Sequence, residues 1–149
     1  MGRLTLPASG AVYADANIAL YTVNSHPVYA PLCVPLWQTA QQGTITVVSI
    51  ELTLLETLVG PMRAGDTLKV MFSANLWNRP GAYLLPITQD ILREAARLRA
   101  AIPGLKTPDA IHAATALLQG CALFVTNDMG FRRVPGLPLV LLDDVLAAP

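Results

Sequence analysis

Two periods of hydrophobic and polar positions alternate along this chain. Val12 to Ala14 is a short apolar run that ends in Asp15 and Asn17, the pattern of a first strand. The stretch from Ala16 to about Val23 follows as a helix, with Asp15 placed to cap it. Ser25-His26-Pro27 opens a second helical region that reaches about Gln42 and closes at Gly43. Pro27, Pro31 and Pro35 give that region a late start or a bend. Thr44 to Val48 is β-branched and uncharged, a second buried strand. Ser49 then caps a third helix, about Ile50 to Val59, which Gly60-Pro61 ends. A fourth helix runs from Arg63 to about Asn78, with Leu68, Met71, Phe72 and Leu76 as its apolar positions. Pro80-Gly81 makes a turn, and Tyr83 to Ile87 is a third strand. Thr88 caps a fifth helix, Asp90 to about Ala101, which turns Ile91, Ala95, Leu98 and Ile102 inward and Arg93, Arg97 and Arg99 outward.

The stretch from Lys106 to Phe131 reads as helix, turn, strand and polar break. Thr107 is placed as an N-cap and Pro108 as the first helical residue. Asp109 then falls in the first turn, where the helix dipole favours a carboxylate. Ile111, Ala114, Leu117 and Leu118 recur on one face, and Gly120 ends the helix. Cys121 to Val125 is long enough for a buried strand and too short for another helix. Thr126-Asn127-Asp128 follows at once, and open α/β sheets bind their ligands at strand ends of this kind. Gly136 to Leu141 is a last strand, and Asp143-Asp144 opens a short helix. Strands alternate with helices throughout, which implies a mostly parallel sheet with right-handed crossovers.

Composition narrows this picture. A chain of 149 residues is expected to be one domain, residues 1–149, with no repeat or linker. Hydrophobic residues make up 53% and charged ones 13%, so disorder is excluded. Polar residues interrupt every apolar run before the ~18 residues a membrane span needs. The opening MGRLTLPASG lacks the apolar core of a signal peptide. Cys33 and Cys121 lie far apart in apolar contexts and read as buried free thiols of a reducing, cytoplasmic protein. Ten basic residues balance ten acidic ones, so bulk charge does not single out nucleic acid. The first fifty residues carry only Arg3 and Asp15, and none from Ala16 to Ile50 is charged. Either a partner covers part of that segment, or its helices are half-buried with Gln, Asn and Thr outside.

Most acids have routine explanations. Glu51 and Asp90 lie in first turns, and Glu94 is a helical neighbour of Asp90. Asp15, Glu56, Asp109 and Asp128 stand apart. Asp15 and Asp128 end parallel strands, so both reach the same sheet edge. Glu56 lies close to an apolar stripe of Leu52, Leu55 and Val59, where a carboxylate needs a partner, a proton or a cation. Singly, each acid reads as a cap, a dipole partner or a surface charge. Together they can converge, and clustered carboxylates repel unless a cation sits among them. Their hard oxygens suit Mg²⁺ or Mn²⁺ rather than Zn²⁺. No Gly-rich phosphate loop, Ser/His/Asp set or pair of Cys or His with metal-ligand spacing competes. His26, at a turn, reads as solvated.

These residues resemble a known family. Val12-Tyr13-Ala14-Asp15-Ala16-Asn17, then Ser49 to Glu56 with Gly60-Pro61, then Thr107 to Ala114, then Thr126-Asn127-Asp128 with Phe131 are similar, in this order and spacing, to PIN-domain proteins. The likeness is specifically to the VapC-type toxins of VapBC toxin–antitoxin pairs, and it covers nearly the whole chain. It implies a three-layer α/β/α sandwich and a Mg²⁺- or Mn²⁺-dependent endoribonuclease. It places the family's metal-binding and catalytic acids on Asp15, Glu56, Asp109 and Asp128, and not on Glu51. It places supporting polar residues on Asn17, Ser49 and Thr126. Ala16 stands where the family often has Thr or Ser, and the proline-rich second helix is a further departure. For the RNA backbone the candidates are Arg63, Lys69, Lys106 and Arg132. The resemblance further implies a homodimer and a small VapB-like antitoxin. Two other readings remain open at this point: a PIN nuclease in RNA maturation or acting on structured DNA, and a non-catalytic binding module.

Overall fold

The computed structural model describes residues 2–149. Its centre is a five-stranded sheet, built from β1 (Ala11–Ala14), β2 (Thr46–Ile50), β3 (Ala82–Leu85), β4 (Leu123–Thr126) and β5 (Leu139–Leu141). All pairings are parallel, in the order β3-β2-β1-β4-β5. Parallel strands need crossovers, and here α1 (Ala16–Val23), α2 (Tyr29–Gln41), α3 (Leu52–Ala64), α4 (Thr67–Asn75), α5 (Gln89–Ala101) and α6 (Thr107–Leu118) supply the first three. A segment with a 3₁₀ turn (Met129–Arg133) joins β4 to β5, and α7 (Leu142–Ala147) follows β5.

Side chains alternate across each strand, so one sheet feeds two cores. Val12, Ala14, Val47 and Val125 face a core completed by Ile18, Leu36, Trp37 and Leu142 from α1, α2 and α7. Tyr13, Val48, Ile50 and Phe124 face a second core with Ile91, Ala95 and Leu98 of α5 and Ala110, Ala113 and Ala114 of α6. Helices thus cover both faces, which is the expected α/β/α sandwich. It also explains why the strands read as continuous apolar runs. Among the described residues no helix is long and apolar enough to cross a membrane. Cys33 and Cys121 are free and buried, as expected.

Several boundaries move, for local reasons. Ser49 does not cap α3: it lies inside β2, fully buried, and its hydroxyl bonds to that of Thr53 at 2.6 Å. Gly60-Pro61 does not end α3, because a stronger stop lies beyond it. Gly65 adopts a left-handed φ of 65°, and the Asp66 carboxylate accepts from the Lys69 N–H to start α4. The expected single helix from Arg63 to Asn78 is therefore α4 plus a 3₁₀ turn, Leu76–Asn78. Thr107 is not the N-cap of α6, since Lys106 holds that place without a side-chain bond. The Thr107 hydroxyl instead accepts from Arg99 at 2.9 Å. β4 starts at Leu123 rather than at Cys121. His26 is not merely solvated: its Nδ1 accepts the N–H groups of Val28 and Tyr29, both at 3.2 Å, at the entrance to α2.

The larger surprise is which face of α3 and α4 points outward. These two helices pack on each other and on α1. α3 buries Thr53 and Thr57, while Leu55, Val59 and Met62 are exposed. α4 buries Ser73 and exposes Leu68, Met71 and Phe72, with Leu68 76% and Phe72 55% exposed. The charge-free segment after Asp15, by contrast, supplies much of the first core through Ile18, Leu36, Trp37 and Val47. The exposed apolar surface is thus not centred on the charge-free stretch.

The turn into β3 depends on one glycine. Gly81 has a φ of 81°, and a Cβ there would meet the Ala40 carbonyl oxygen at 2.2 Å. Both backbone strain and a backbone clash oppose any side chain. Gly81→Ala is expected to cost at least ~2 kcal/mol. Urea unfolding measures this, and a cost below ~0.5 kcal/mol would show that the turn can relax.

Candidate active site

Strand register brings the first two acids together. Ala14 of β1 pairs with Val125 of β4, so Asp15 and Thr126-Asn127-Asp128 leave the same edge side by side. Asp15 is only 4% exposed. Its Oδ1 accepts from the Ile18 N–H at 3.3 Å, and the Thr126 hydroxyl donates to Oδ2. Thr126 also accepts the Asp128 N–H at 3.0 Å, so one fully buried hydroxyl ties both acids to the strand end. Asp128 in turn accepts from the Gly130 N–H at 2.8 Å. Asp109 comes from the first turn of α6 and Glu56 from α3. All four acids line one small cavity of about 60 Å³, with Asn17, His112 and Phe131.

The electrostatics follow first from burial. Burial pushes the Asp15 carboxyl up to about 6, although its bond from Thr126 and the nearby His112 pull the other way. Burial first, and then the charge of Asp128, also raise Asp109 above the usual carboxylate range. Burial at both acids, and the neighbouring carboxylates at Asp109, therefore disfavour the charged forms.

His112 is the residue that reading the sequence missed. It is 3% exposed, and both ring nitrogens are engaged. Nδ1 lies 2.6 Å from the Tyr13 hydroxyl and Nε2 lies 2.6 Å from Glu56 Oε1. One signal was present: His112 falls three residues after Asp109, on the neighbouring helical position. Glu56 is held by this histidine rather than by an apolar stripe, because Leu55 and Val59 point outward.

The supporting residues divide. Asn17 lines the cavity and Thr126 anchors two of its acids. Ser49 does not line it and bonds to Thr53 instead. None of the four candidate cations lines the cavity. Lys106 is near enough to act on the charge of Asp109. Arg132 is paired with Asp144 at 2.9 Å. Lys69 lines a different cavity, among α1, α3 and α4, and Arg63 lies exposed in the last turn of α3.

Among the described residues no three of His, Cys, Asp or Glu stand close enough to hold one metal ion among them directly. The donor set nonetheless fits a hard cation. The four acids supply only carboxylate oxygens, and they surround a cavity with room for an ion and its water. Mg²⁺ keeps several of its waters and is held by one or two carboxylates at a time.

The family model of the PIN domain matches residues 12–137. The chain belongs to the PIN domain family. The matched residues run from β1 to the approach to β5, and so contain the whole acidic cavity of this PIN domain. A search of curated proteins by sequence finds no match. Solved structures share the fold. The crystal structure of VapBC2 from Rickettsia felis, bound to a DNA fragment from its promoter, matches with a TM-score of 0.69 at 18% identity, over 88% of this chain and 98% of that one. A toxin–antitoxin complex from Klebsiella pneumoniae matches at 0.64 and 23% identity, over 87% and 95%. VapBC-5 of Mycobacterium tuberculosis, a member of the VapBC family of toxin–antitoxin systems, matches at 0.55 and 20% identity, over 91% and 98%.

Proposed function

We propose that this PIN domain is a Mg²⁺- or Mn²⁺-dependent endoribonuclease, the toxin of a type II toxin–antitoxin pair. The observation that carries the reading is the convergence of Asp15, Glu56, Asp109 and Asp128, from four different elements, on one small cavity at the sheet edge. In this reading Asp15, Asp109 and Asp128 hold the metal, at most two of them directly and the rest through water, with Glu56 beside them. Such an ion, when bound, neutralises phosphate charge and makes water a better nucleophile. Thr126 fixes the direction of Asp15 and the backbone of Asp128. Glu56 binds the metal or polarises the attacking water. Asn17 orients ligands at the cavity wall. Lys106 offers a cation to the RNA backbone.

The toxin assignment draws support from the toxin–antitoxin complexes that share the fold. It also draws on the apolar side chains that α3 and α4 expose, Leu55, Val59, Met62, Leu68, Met71 and Phe72, since exposed apolar patches mark interaction surfaces. A small antitoxin and a second copy of the chain are the partners this reading assigns. It places the activity in the cytoplasm. Burial pushes the thiols up, Cys33 to about 12 and Cys121 to about 11, which suits inert cysteines in a reducing compartment.

Incubating the purified protein with single-stranded RNA tests the chemistry. Cleavage is expected with Mg²⁺ or Mn²⁺ and not with chelator. Asp128→Asn is expected to lose on the order of 100-fold or more of the rate while keeping its circular dichroism. Full activity in Asp128→Asn, or cleavage that ignores the chelator, would overturn the assignment.

A further inference from the structure

We propose that His112 is a positioning residue that aims the Glu56 carboxylate into the acidic cavity, and that Tyr13 holds His112 in place. This rests on the metal-dependent reading of the site. Glu56 needs such a device. It stands on α3, which packs mainly on α1 and α4 rather than on the sheet. Its side chain is only partly buried, 28% exposed, and would otherwise sample several rotamers. Its Oε1 is held by His112 Nε2 at 2.6 Å, which leaves Oε2 for the cavity that both residues line.

The histidine itself is fixed from behind. Tyr13 is fully buried in β1, two residues before Asp15. Its ring stacks on Phe124 of β4, centroids 4.9 Å apart and planes 5° apart, two residues before Thr126. Its edge meets the His112 ring at 5.8 Å and 78°. The Tyr13 hydroxyl reaches His112 Nδ1 at 2.6 Å. The Tyr13 hydroxyl and the Glu56 carboxylate thus hold the two ring nitrogens from opposite sides. Turning the imidazole would break both bonds at once. The two strands that carry Asp15 and Thr126 therefore also carry the support for an acid on a distant helix. Hydrogen bonds of this outer kind commonly tune metal ligands, and losing one typically costs about 10–100-fold in metal affinity or activity. A buried histidine that merely fills the core would show no such link.

The test combines Mn²⁺ affinity, measured by calorimetry, with the Mg²⁺ concentration that half-saturates RNA cleavage. His112→Leu is expected to weaken both by about tenfold or more. His112→Gln, whose amide can still donate to Glu56, is expected to recover most of the loss. Tyr13→Phe, which keeps the stacked ring, is expected to weaken Mn²⁺ binding by a smaller factor. In a Glu56→Ala background, His112→Leu is expected to add nothing, because the two act as a unit. Unchanged Mn²⁺ affinity in folded His112→Leu would overturn the proposal. So would a loss that adds fully to that of Glu56→Ala. If His112→Leu does not fold, His112→Gln and Tyr13→Phe decide: wild-type half-saturation in Tyr13→Phe together with a full loss in His112→Gln would overturn it. Should the wild-type protein bind Mn²⁺ in this His112-dependent way yet cleave no RNA, the nuclease reading fails and the positioning role stands.

Discussion

Asp15→Asn is expected to silence cleavage and, in the absence of divalent ions, to make the protein more stable. Both effects come from the same burial. Asp15 sits at a strand end with almost no exposure, beside Thr126 and facing three other acids across one cavity. Its carboxyl is pushed up from 3.8 to about 6, chiefly by desolvation. Between those two values the folded chain binds more protons at this site than the unfolded chain does. Stability therefore falls as pH rises through that window, and the full cost is present above about 6. The displacement corresponds to roughly 3 kcal/mol as a ceiling. Asparagine removes the charge and remains a good N-cap for the Ile18 N–H. It loses the charge-assisted bond from Thr126, so a net gain of about 1–2 kcal/mol is expected near neutral pH. That is a rise in Tm of about 2–8 °C. Unfolding in chelator from pH 4 to 8 checks it: the wild-type slope should flatten in the variant. RNA cleavage should fall on the order of 100–1000-fold. A variant that is less stable than wild type at pH 7.5, or that stays active, would show that Asp15 is a structural cap and nothing more.

This expected conflict between stability and charge explains what could be read from the sequence. Asp15, Asp109 and Asp128 were legible because each sits next to a signal of its own. Two follow β-branched or apolar strands, and one follows a proline at a helix start. The parallel sheet was legible because strands buried on both sides leave uninterrupted apolar runs. The surroundings of Glu56 were not. The periodicity of α3 suggested that Leu55 and Val59 pack inward, yet Thr53 and Thr57 do so, and their hydroxyls are satisfied locally by Ser49 and the Thr53 carbonyl. A helix that buries threonine and exposes leucine inverts the rule on which amphipathic reading depends. α4 repeats the inversion with Ser73 inside and Phe72 outside. His112 escaped for a different reason. A histidine inside an alanine-rich helix has no local mark of function, and its partners Tyr13 and Glu56 are 99 and 56 residues away in sequence. Long-range pairs of this kind exist only after the sheet has formed.

The same crowding sets how the protein should respond to metal. In the proposed metal-dependent reading, a divalent ion bound at pH 7.5 would offset the burial of Asp15 and the charge of Asp128 and Glu56 on Asp109, and it would bind the folded chain alone because the cavity needs all four elements. At 100-fold excess over its dissociation constant such an ion stabilises the fold by about 2.7 kcal/mol. For a chain of this size that is a rise in Tm of about 5–10 °C. At pH 5 the outcome should change. Asp15 titrates at about 6, and Asp109 is displaced in the same direction, so protons compete for the same oxygens. The metal-dependent gain is then expected to shrink to a small fraction of its neutral value, even though the metal-free protein has itself become more stable. Two curves, with Mg²⁺ or Mn²⁺ and with chelator, should therefore converge as pH falls from 7.5 to 5. In Asp15→Asn and in Asp128→Asn they should nearly coincide at every pH, because each change removes one of the proposed ligands. Differential scanning calorimetry gives both curves. An equal gain at pH 5 and pH 7.5, or an undiminished gain in either variant, would place the ion outside the four-acid cavity and remove the physical basis for metal-dependent cleavage there.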